Sequence, residues 1–312
     1  MSVQFVVRRF HRSKTPALFF KLDISKAFDS VRWEYLLTLM SKLGFPPKWR
    51  EWVAALLSTS SSRILLNGVP TAPIKHGRGV RQARFHHCYL LLLSTHCKKI
   101  LDLATEEDHL VKFKGKQVVM RTSIYADDTA IFVKPYKKDV TALADILTKF
   151  GEVSGLKTNV QKSSVIPIRC QGVDLDEVLC DFLARRTLIP TKYFGLPLTI
   201  TRLRRIDFQP LVDKAVSKLT VWNGKNINHA GRSTLVKTVL TSQSVYCLTS
   251  LRAHKATLKE IDNLRKSFLW AGSDKLTGGK CKVNWPCSTR PTESRGLGIL
   301  YLEKIARAPL LG

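Results

Sequence analysis

Long apolar runs are missing from this chain. A membrane-spanning helix needs about 20 consecutive apolar residues, and the longest candidate, around Leu90–Leu93, is only a few residues long. No membrane partner is therefore expected. The N-terminus places a Val-rich stretch ahead of Arg8 and Arg9, the wrong order and length for a signal peptide. An intracellular protein of the nucleus or cytoplasm, not a secreted one, is the expectation. A disulfide framework is also lacking: the seven cysteines are odd in number and scattered at 88, 97, 170, 180, 247, 281 and 287. Cys281 and Cys287 have no partners at zinc-finger spacing, and the eight histidines form no HExxH cluster, which argues against a zinc hydrolase. Neither an internal repeat nor a low-complexity segment is present.

Acidic residues are scarce. Only 24 stand against 51 Lys and Arg, a formal charge of +27. A compact body with that excess repels itself unless a polyanion screens it, so nucleic acid is the leading partner. The excess is shared by both parts of the chain; residues 201–312 carry 20 basic and 7 acidic side chains.

Over the first 200 residues, short β-type runs alternate with longer helical patterns. Leu18 to Ile24 reads as a buried strand that delivers Asp23 near its end. Trp33, Leu36, Leu37, Met40 and Leu43 recur at helical spacing until Gly44-Phe45-Pro46-Pro47 stops them. Trp49, Trp52, Val53, Leu56 and Leu57 make a second amphipathic helix, and Arg63 to Asn67 a strand ended by Gly68 and Pro70. Ser123-Ile124-Tyr125 and Thr129 to Val133 read as a hairpin with Ala126-Asp127-Asp128 at its turn. That turn lacks the Asn-Gly chemistry that makes tight turns favourable, so acids there point to function. Beyond Pro190 the pattern is helical, with apolar stripes at 211–222 and 258–268.

Nucleotidyl transfer uses two divalent cations about 3.5–4 Å apart, held by carboxylates because hard cations take oxygen ligands. Asp23 at a strand end, with Asp127 and Asp128 at a hairpin, could supply them from adjacent strands. Taken singly, each acid is as well read as a cap or a solvated side chain.

Together they carry a resemblance. Leu22-Asp23-Ile24-Ser25-Lys26-Ala27-Phe28-Asp29 resembles motif A of reverse transcriptases, and Tyr125-Ala126-Asp127-Asp128 resembles motif C. Lys21 to Trp33 and Gly44 to Trp52 are similar to the LINE-type (non-LTR) retrotransposon enzymes of plants. Gly155-Leu156-Lys157-Thr158-Asn159 with Lys162 resembles motif D, and Tyr193-Phe194-Gly195-Leu196-Pro197-Leu198 the primer grip, motif E. Trp222 with Ala230-Gly231-Arg232, and Trp285-Pro286-Cys287 leading to Gly296-Leu297-Gly298, resemble the segment that follows the polymerase. Five motifs in the family's order are far more specific than any one.

The resemblance implies an α+β fold: a reverse-transcriptase-like palm over residues 1–200, an antiparallel sheet with helices on one face. A basic, helical, thumb-like region over 201–312 would follow. It implies an RNA-directed DNA polymerase working with RNA template, DNA primer, deoxynucleoside triphosphates and two Mg²⁺ ions, for which Mn²⁺ could substitute. Asp23 and Asp127 would hold both metals with Asp128 beside them, and the Ile24 carbonyl would be a further ligand. Phe28 would lie under the incoming sugar, rejecting a 2′-hydroxyl by its bulk; its bland reading is a core aromatic. Gln82 would contribute to the nucleotide site. Lys162 would clamp the triphosphate or deliver a proton to the departing pyrophosphate, although a solvated lysine reads equally well. Tyr193, Gly195 and Arg232 would contact nucleic acid. By the same comparison most of the family's fingers subdomain and its upstream endonuclease are missing.

One stretch breaks the pattern. After Gly77-Arg78-Gly79-Val80-Arg81-Gln82 the family continues into motif B, a Gly-Asp-Pro turn and a Ser-Pro-Leu-Leu helix start. This chain has Ala83-Arg84-Phe85-His86-His87-Cys88-Tyr89 instead, and the resemblance returns abruptly at Ile100. A frameshift accounts for both edges, because the overlapping reading of these codons can restore Ser-Pro-Leu-Leu; a natural loop variant leaves the sharp edges unexplained. A fragment that has lost motif B would be an impaired polymerase or a catalytically dead, non-specific nucleic-acid-binding remnant. Two compensating small insertions or deletions should flank the codons of residues 83–97. Sequencing the gene tests this, and codons unable to encode Ser-Pro-Leu-Leu in either alternative frame would refute it.

Overall fold

The computed structural model describes residues 3–80, 87–113, 121–125, 128–222, 224–251, 253–274 and 281–307. Two compact units divide the chain at Phe194 and Gly195. Expected residues Gln82 and Asp127 and the side chain of Asp128 lie outside what is described, although the backbone register of Asp128 is described.

The first unit is built on a five-stranded sheet. Its strands are β1 (Ala17–Ile24), β6 (Thr122–Tyr125), β7 (Asp128–Val133), β8 (Thr158–Ile168) and β9 (Arg185–Arg186). Their order is β6-β7-β1-β8-β9, antiparallel throughout except for β8 with β9. Between β1 and β6 lie four short strands in two small hairpins, β2 (Ser61–Ser62) with β5 (Ile74–Lys75) and β3 (Leu65–Leu66) with β4 (Val69–Pro70). The helices are α1 (Val3–Arg12), α2 (Ala27–Ser30), α3 (Trp33–Lys42), α4 (Pro47–Ser58), α5 (His87–Glu106), α6 (Lys137–Ser154) and α7 (Leu175–Val178). This is the α+β class read from the sequence.

The centre of the sheet is β1. Its run Ala-Leu-Phe-Phe-Lys-Leu is almost wholly apolar because neighbours flank it on both sides and helices cover both faces. Leu18, Phe20 and Leu22 pack with Leu36, Leu90, Leu93, Leu143 and Leu147 in the main core. Phe19 alternates to the other face and stacks on Phe132, ring centroids 4.9 Å apart; Phe10 meets Phe132 there at 5.5 Å. The expectation of helices on one face only is thus corrected. Val3, Val6, Val7 and Phe10 recur at helical spacing, so the Val-rich N-terminus is an amphipathic helix, α1, with that stripe buried.

Two local readings also change. The strand expected at 63–67 is instead the hairpin β3–β4. Asn67 and Gly68 at its tip both adopt positive φ, 50° and 82°, the conformation that a two-residue Asn-Gly turn requires. At the acidic hairpin, Tyr125 and Asp128 are register partners. The connection is therefore Ala126-Asp127, and Asp128 belongs to the strand.

Helix α5 runs through the segment where family resemblance fails. Leu90, Leu93, Cys97, Leu101 and Ala104 are buried, a stripe at helical spacing that crosses the edge at Ile100 unbroken. Packing is imperfect, however. A cavity of about 20 Å³ lies among Leu22, Ile24, Ser94, Cys97 and Phe150, and the buried Ser94 hydroxyl has no partner. Burial pushes the Cys97 thiol up to about 12, so it behaves as an apolar filler.

A buried ionic clamp closes the rear of this unit. Arg121 donates from Nη2 to the Val111 carbonyl at 2.6 Å, and Asp139 accepts from the Val111 N–H at 3.1 Å. Both backbone groups of Val111 are thereby satisfied by charges that would be costly to bury alone.

The second unit is helical: α8 (Gln209–Val221), α9 (His229–Leu235), α10 (Thr241–Ser250), α11 (Lys255–Ala271), α12 (Trp285–Ser288) and α13 (Leu302–Arg307). A π-helical turn, Val236–Leu240, joins α9 to α10. Arg265 is wholly buried in α11. It donates to Asp262 at 2.6 Å, to Thr241 Oγ1 at 2.9 Å and to the Leu300 carbonyl at 2.9 Å, tying three segments together.

Glycine 155 tests the packing where α6 ends. It has φ +87°, and an added Cβ would collide with the Ser30 carbonyl oxygen. Gly44 has a similar φ of +81° with open space around it. Gly155→Ala should cost at least about 1–3 kcal/mol in urea unfolding and clearly more than Gly44→Ala, for which only left-handed backbone strain of about 1–2 kcal/mol applies. Equal losses would show that the Ser30 contact relaxes freely.

Candidate active site

The end of β1 gathers the expected polymerase residues of the first unit. The register of β1 on β7 runs from Leu18 opposite Val133 to Asp23 opposite Asp128. Two acids therefore face each other across adjacent strands, immediately beside the hairpin connection that contains Asp127. Oxygen donors from strands in a fixed register suit a hard divalent cation. Among the described residues no three acidic, His or Cys side chains cluster as a metal site; the expected third carboxylate, Asp127, is not among them.

On its other side β1 meets a bulge in β8. Lys21 pairs with Ser164, but Asp23 pairs with Asn159, so β8 carries extra residues opposite the catalytic-type acid, a device that re-aims side chains. Ser163 holds this bulge in place. Its hydroxyl accepts from the Asp23 N–H at 3.1 Å and donates to the Asn159 carbonyl at 2.7 Å. The Asn159 side chain in turn accepts from the Lys162 N–H at 3.3 Å. Lys162 is exposed on the bulge, one strand away from Asp23. Ser163 is buried, and sequence reading missed it, since a lone serine in a strand gives no signal.

After Ile24 the chain turns through Lys26, whose φ of 47° is left-handed, into the short α2. Phe28 is half-buried against the main core, which favours neither its steric-gate role nor its core reading alone. Its carbonyl accepts from the Val80 N–H at 2.6 Å, and the Val31 carbonyl accepts from the Gly79 N–H at 2.8 Å. The Trp33 indole donates to the Gly79 carbonyl at 2.6 Å. An added Cβ on Gly79, with φ +88°, would come within 2.8 Å of the Asp29 carbonyl oxygen. The segment from Phe28 to Trp33 thus clamps Gly79-Val80.

The remaining expected contacts lie elsewhere. Tyr193 is buried, its ring edge-on to Phe19 at 5.9 Å, so it anchors its segment within the first unit and presents no open face. Gly195 has φ +71° and open space around it, and it begins the second unit. Arg232 lies half-buried on α9, a helix capped by Asn228, which accepts from the Gly231 N–H at 2.8 Å.

No family model matches the chain. It is 26% identical over 290 residues, 91% of its length, to a 149 kDa protein of transposon TX1 from Xenopus laevis. Over 113 residues it is 28% identical to an Arabidopsis thaliana protein named for ribonuclease H. The chain spans about a fifth of either relative, 21% and 18%. Among solved structures it is similar to a telomerase from Candida albicans, at 13% identity and a TM-score of 0.37 over 89% of this chain and 49% of that one. Among the described residues no helix is long and apolar enough to cross a membrane.

Ser163→Ala should leave the Asp23 N–H without its acceptor at a cost of about 1–3 kcal/mol. Denaturant unfolding together with amide exchange at Asp23 reads this. Unchanged protection of that amide would show that the serine does not hold the strand end.

Proposed function

We propose that this chain is the palm and thumb-like part of a retroelement reverse transcriptase of the LINE type, an RNA-directed DNA polymerase in origin. One observation carries the reading: Asp23 and Asp128 are register partners on adjacent strands at the mouth of the hairpin that contains Asp127. Similarity to a transposon protein along nearly the whole chain supports it, as do the five ordered motifs, whose detailed likeness is to plant elements.

In this reading Asp23, Asp127 and Asp128 would hold Mg²⁺, which when bound would supply the charge stabilisation that nucleotidyl transfer needs. The backbone of Asp23 is held by its two strand neighbours and by Ser163. Phe28, held by its carbonyl bond to Val80, limits the space beneath the sugar. Lys162 Nζ would carry a proton or a positive charge towards the triphosphate. Arg232 and the basic surface of the second unit would neutralise template–primer phosphates, a contact that needs charge and no base sequence.

The loss of motif B supports a second reading, a remnant that binds nucleic acid without synthesis. Positioning a primer end against a triphosphate is worth roughly 7–11 kcal/mol in favourable cases, and motif B supplies part of it. The chain as it stands should show at best trace primer extension with Mg²⁺. A version given the Ser-Pro-Leu-Leu word should extend far better, and Asp23→Asn or Asp127→Asn in that version should abolish extension. Robust synthesis by the unaltered chain would show that the lost motif matters little. Synthesis surviving Asp127→Asn would overturn the metal assignment.

A further inference from the structure

Large apolar side chains are unevenly exposed in the first unit. Of the 21 that stand exposed among the described residues of the whole chain, nine lie in the single stretch from Leu43 to Ile74. Scattered singly, such residues need no explanation, but grouped in this way they mark an interaction surface. Helix α4 carries the first part. Its Val53 and Leu57 are buried in the main core, whereas Trp49, Trp52 and Leu56 are 46%, 57% and 55% exposed. At about 100° per residue these three form one stripe beside the buried pair, so the apolar arc of α4 is wider than its own unit covers. The two indoles meet edge-on, ring centroids 6.0 Å apart, with Lys48 Nζ 5.6 Å over Trp52.

The second part is the arm of β2 to β5, which leaves directly from the end of α4. Beyond its two short ladders, the Thr71 N–H donates to the Ile64 carbonyl at 2.8 Å and the His76 N–H to the Ser60 carbonyl at 3.1 Å. The backbone is thus well bonded, yet every residue from Ser61 to Pro70 is exposed, Leu65, Leu66 and Val69 among them. Two-stranded ribbons with both faces in water are marginal, and a covering surface would stabilise this one.

Charge decides what covers it. Lys48, Arg50, Arg63 and Lys75 stand in this stretch against Glu51, and among the described residues none of the four cations forms an ion pair. A second copy would set these cations against themselves. A nucleic-acid backbone would answer the cations and leave the apolar side chains wet, since its interfaces are more polar than those between proteins. Tryptophan and arginine with few acids is the composition of a protein-docking surface.

We propose that α4 and the arm dock an acidic amphipathic segment of a partner protein. Its apolar face would cover Trp49, Trp52 and Leu56, and its carboxylates would meet Lys48, Arg63 and Lys75. The proposal uses no residue of the candidate active site and holds whether or not the chain polymerises.

The test is fluorescence polarisation of a labelled synthetic helix of about 18 residues, five turns, with leucines on one face and glutamates on the other. It is titrated with the full chain at about 150 mM salt, where distant charges are screened. Saturable binding is expected, and a peptide with lysines in place of the glutamates should not bind. W52A/L56A and K48E/K75E should each weaken binding at least about tenfold. L183S/L188S removes two side chains that are still more exposed, 84% and 76%, and should change it less than about twofold. All six side chains are exposed, so melting curves should match. Equal binding of the acidic and basic peptides, binding of neither, or equal weakening by L183S/L188S would each overturn the proposal. So would a dimer of the chain in sedimentation that W52A/L56A dissolves, which would assign the surface to a second copy. Displacement of the peptide by a single-stranded oligonucleotide whose own binding W52A/L56A abolishes would overturn it in favour of nucleic acid.

Discussion

The pairing of β1 with β7 is the constraint on which the first unit depends. Six successive residue pairs, from Leu18 opposite Val133 to Asp23 opposite Asp128, fix three things together. They align Leu18, Phe20 and Leu22 with the helical core, turn Phe19 and Phe132 towards α1, and set Asp23 and Asp128 at opposite register positions. Because side chains alternate with period two, a slip of one residue would expose the apolar set and part the acids. Burial on both faces makes such a slip prohibitive. The placement of the carboxylates is thus secured by hydrophobic packing several residues away from them.

The same strand is braced differently on its two edges. Towards β7 the ladder is regular to its end. Towards β8 it breaks at a bulge whose only buried polar anchor among the described residues is Ser163. Regularity fixes the acid pair, and irregularity lifts Lys162 out of the ladder on a short, locally bonded excursion. Functional sites commonly combine a rigid support with one such departure.

The segment from His87 to Cys97 separates foldability from function. It lacks the Ser-Pro-Leu-Leu word that the resemblance leads one to expect, yet it forms a helix and buries Leu90 and Leu93 completely. A helix needs only apolar residues at the right spacing, and the leucine-rich reading supplies them. What it does not supply is fit: Ser94 is buried without a partner, and a small cavity remains beside Cys97 and Phe150. Patterning tolerates exchange of side chains, whereas complementarity does not.

Much was legible in the sequence because the signals were local. The apolar run at 17–22, the helical stripes at 33–42 and 209–221, and the acids of motifs A and C all follow from periodicity or from a short word. Composition alone set the +27 charge and hence the expectation of a polyanionic partner. Other features depend on groups far apart in the chain, and only the tertiary structure decided them. The covering of the second sheet face by α1 joins residues 3–12 to Phe132. Opposition of Asp23 to Asp128, the support of Asp23 by Ser163, and the clamp of Trp33 on Gly79 join segments that no local pattern connects. In the sequence Trp49, Trp52 and Leu56 read as one apolar stripe with Val53 and Leu57. Only the packing of α4 on its unit decided which of them are covered, because burial depends on what stands opposite a helix face and not on the residues that the face carries.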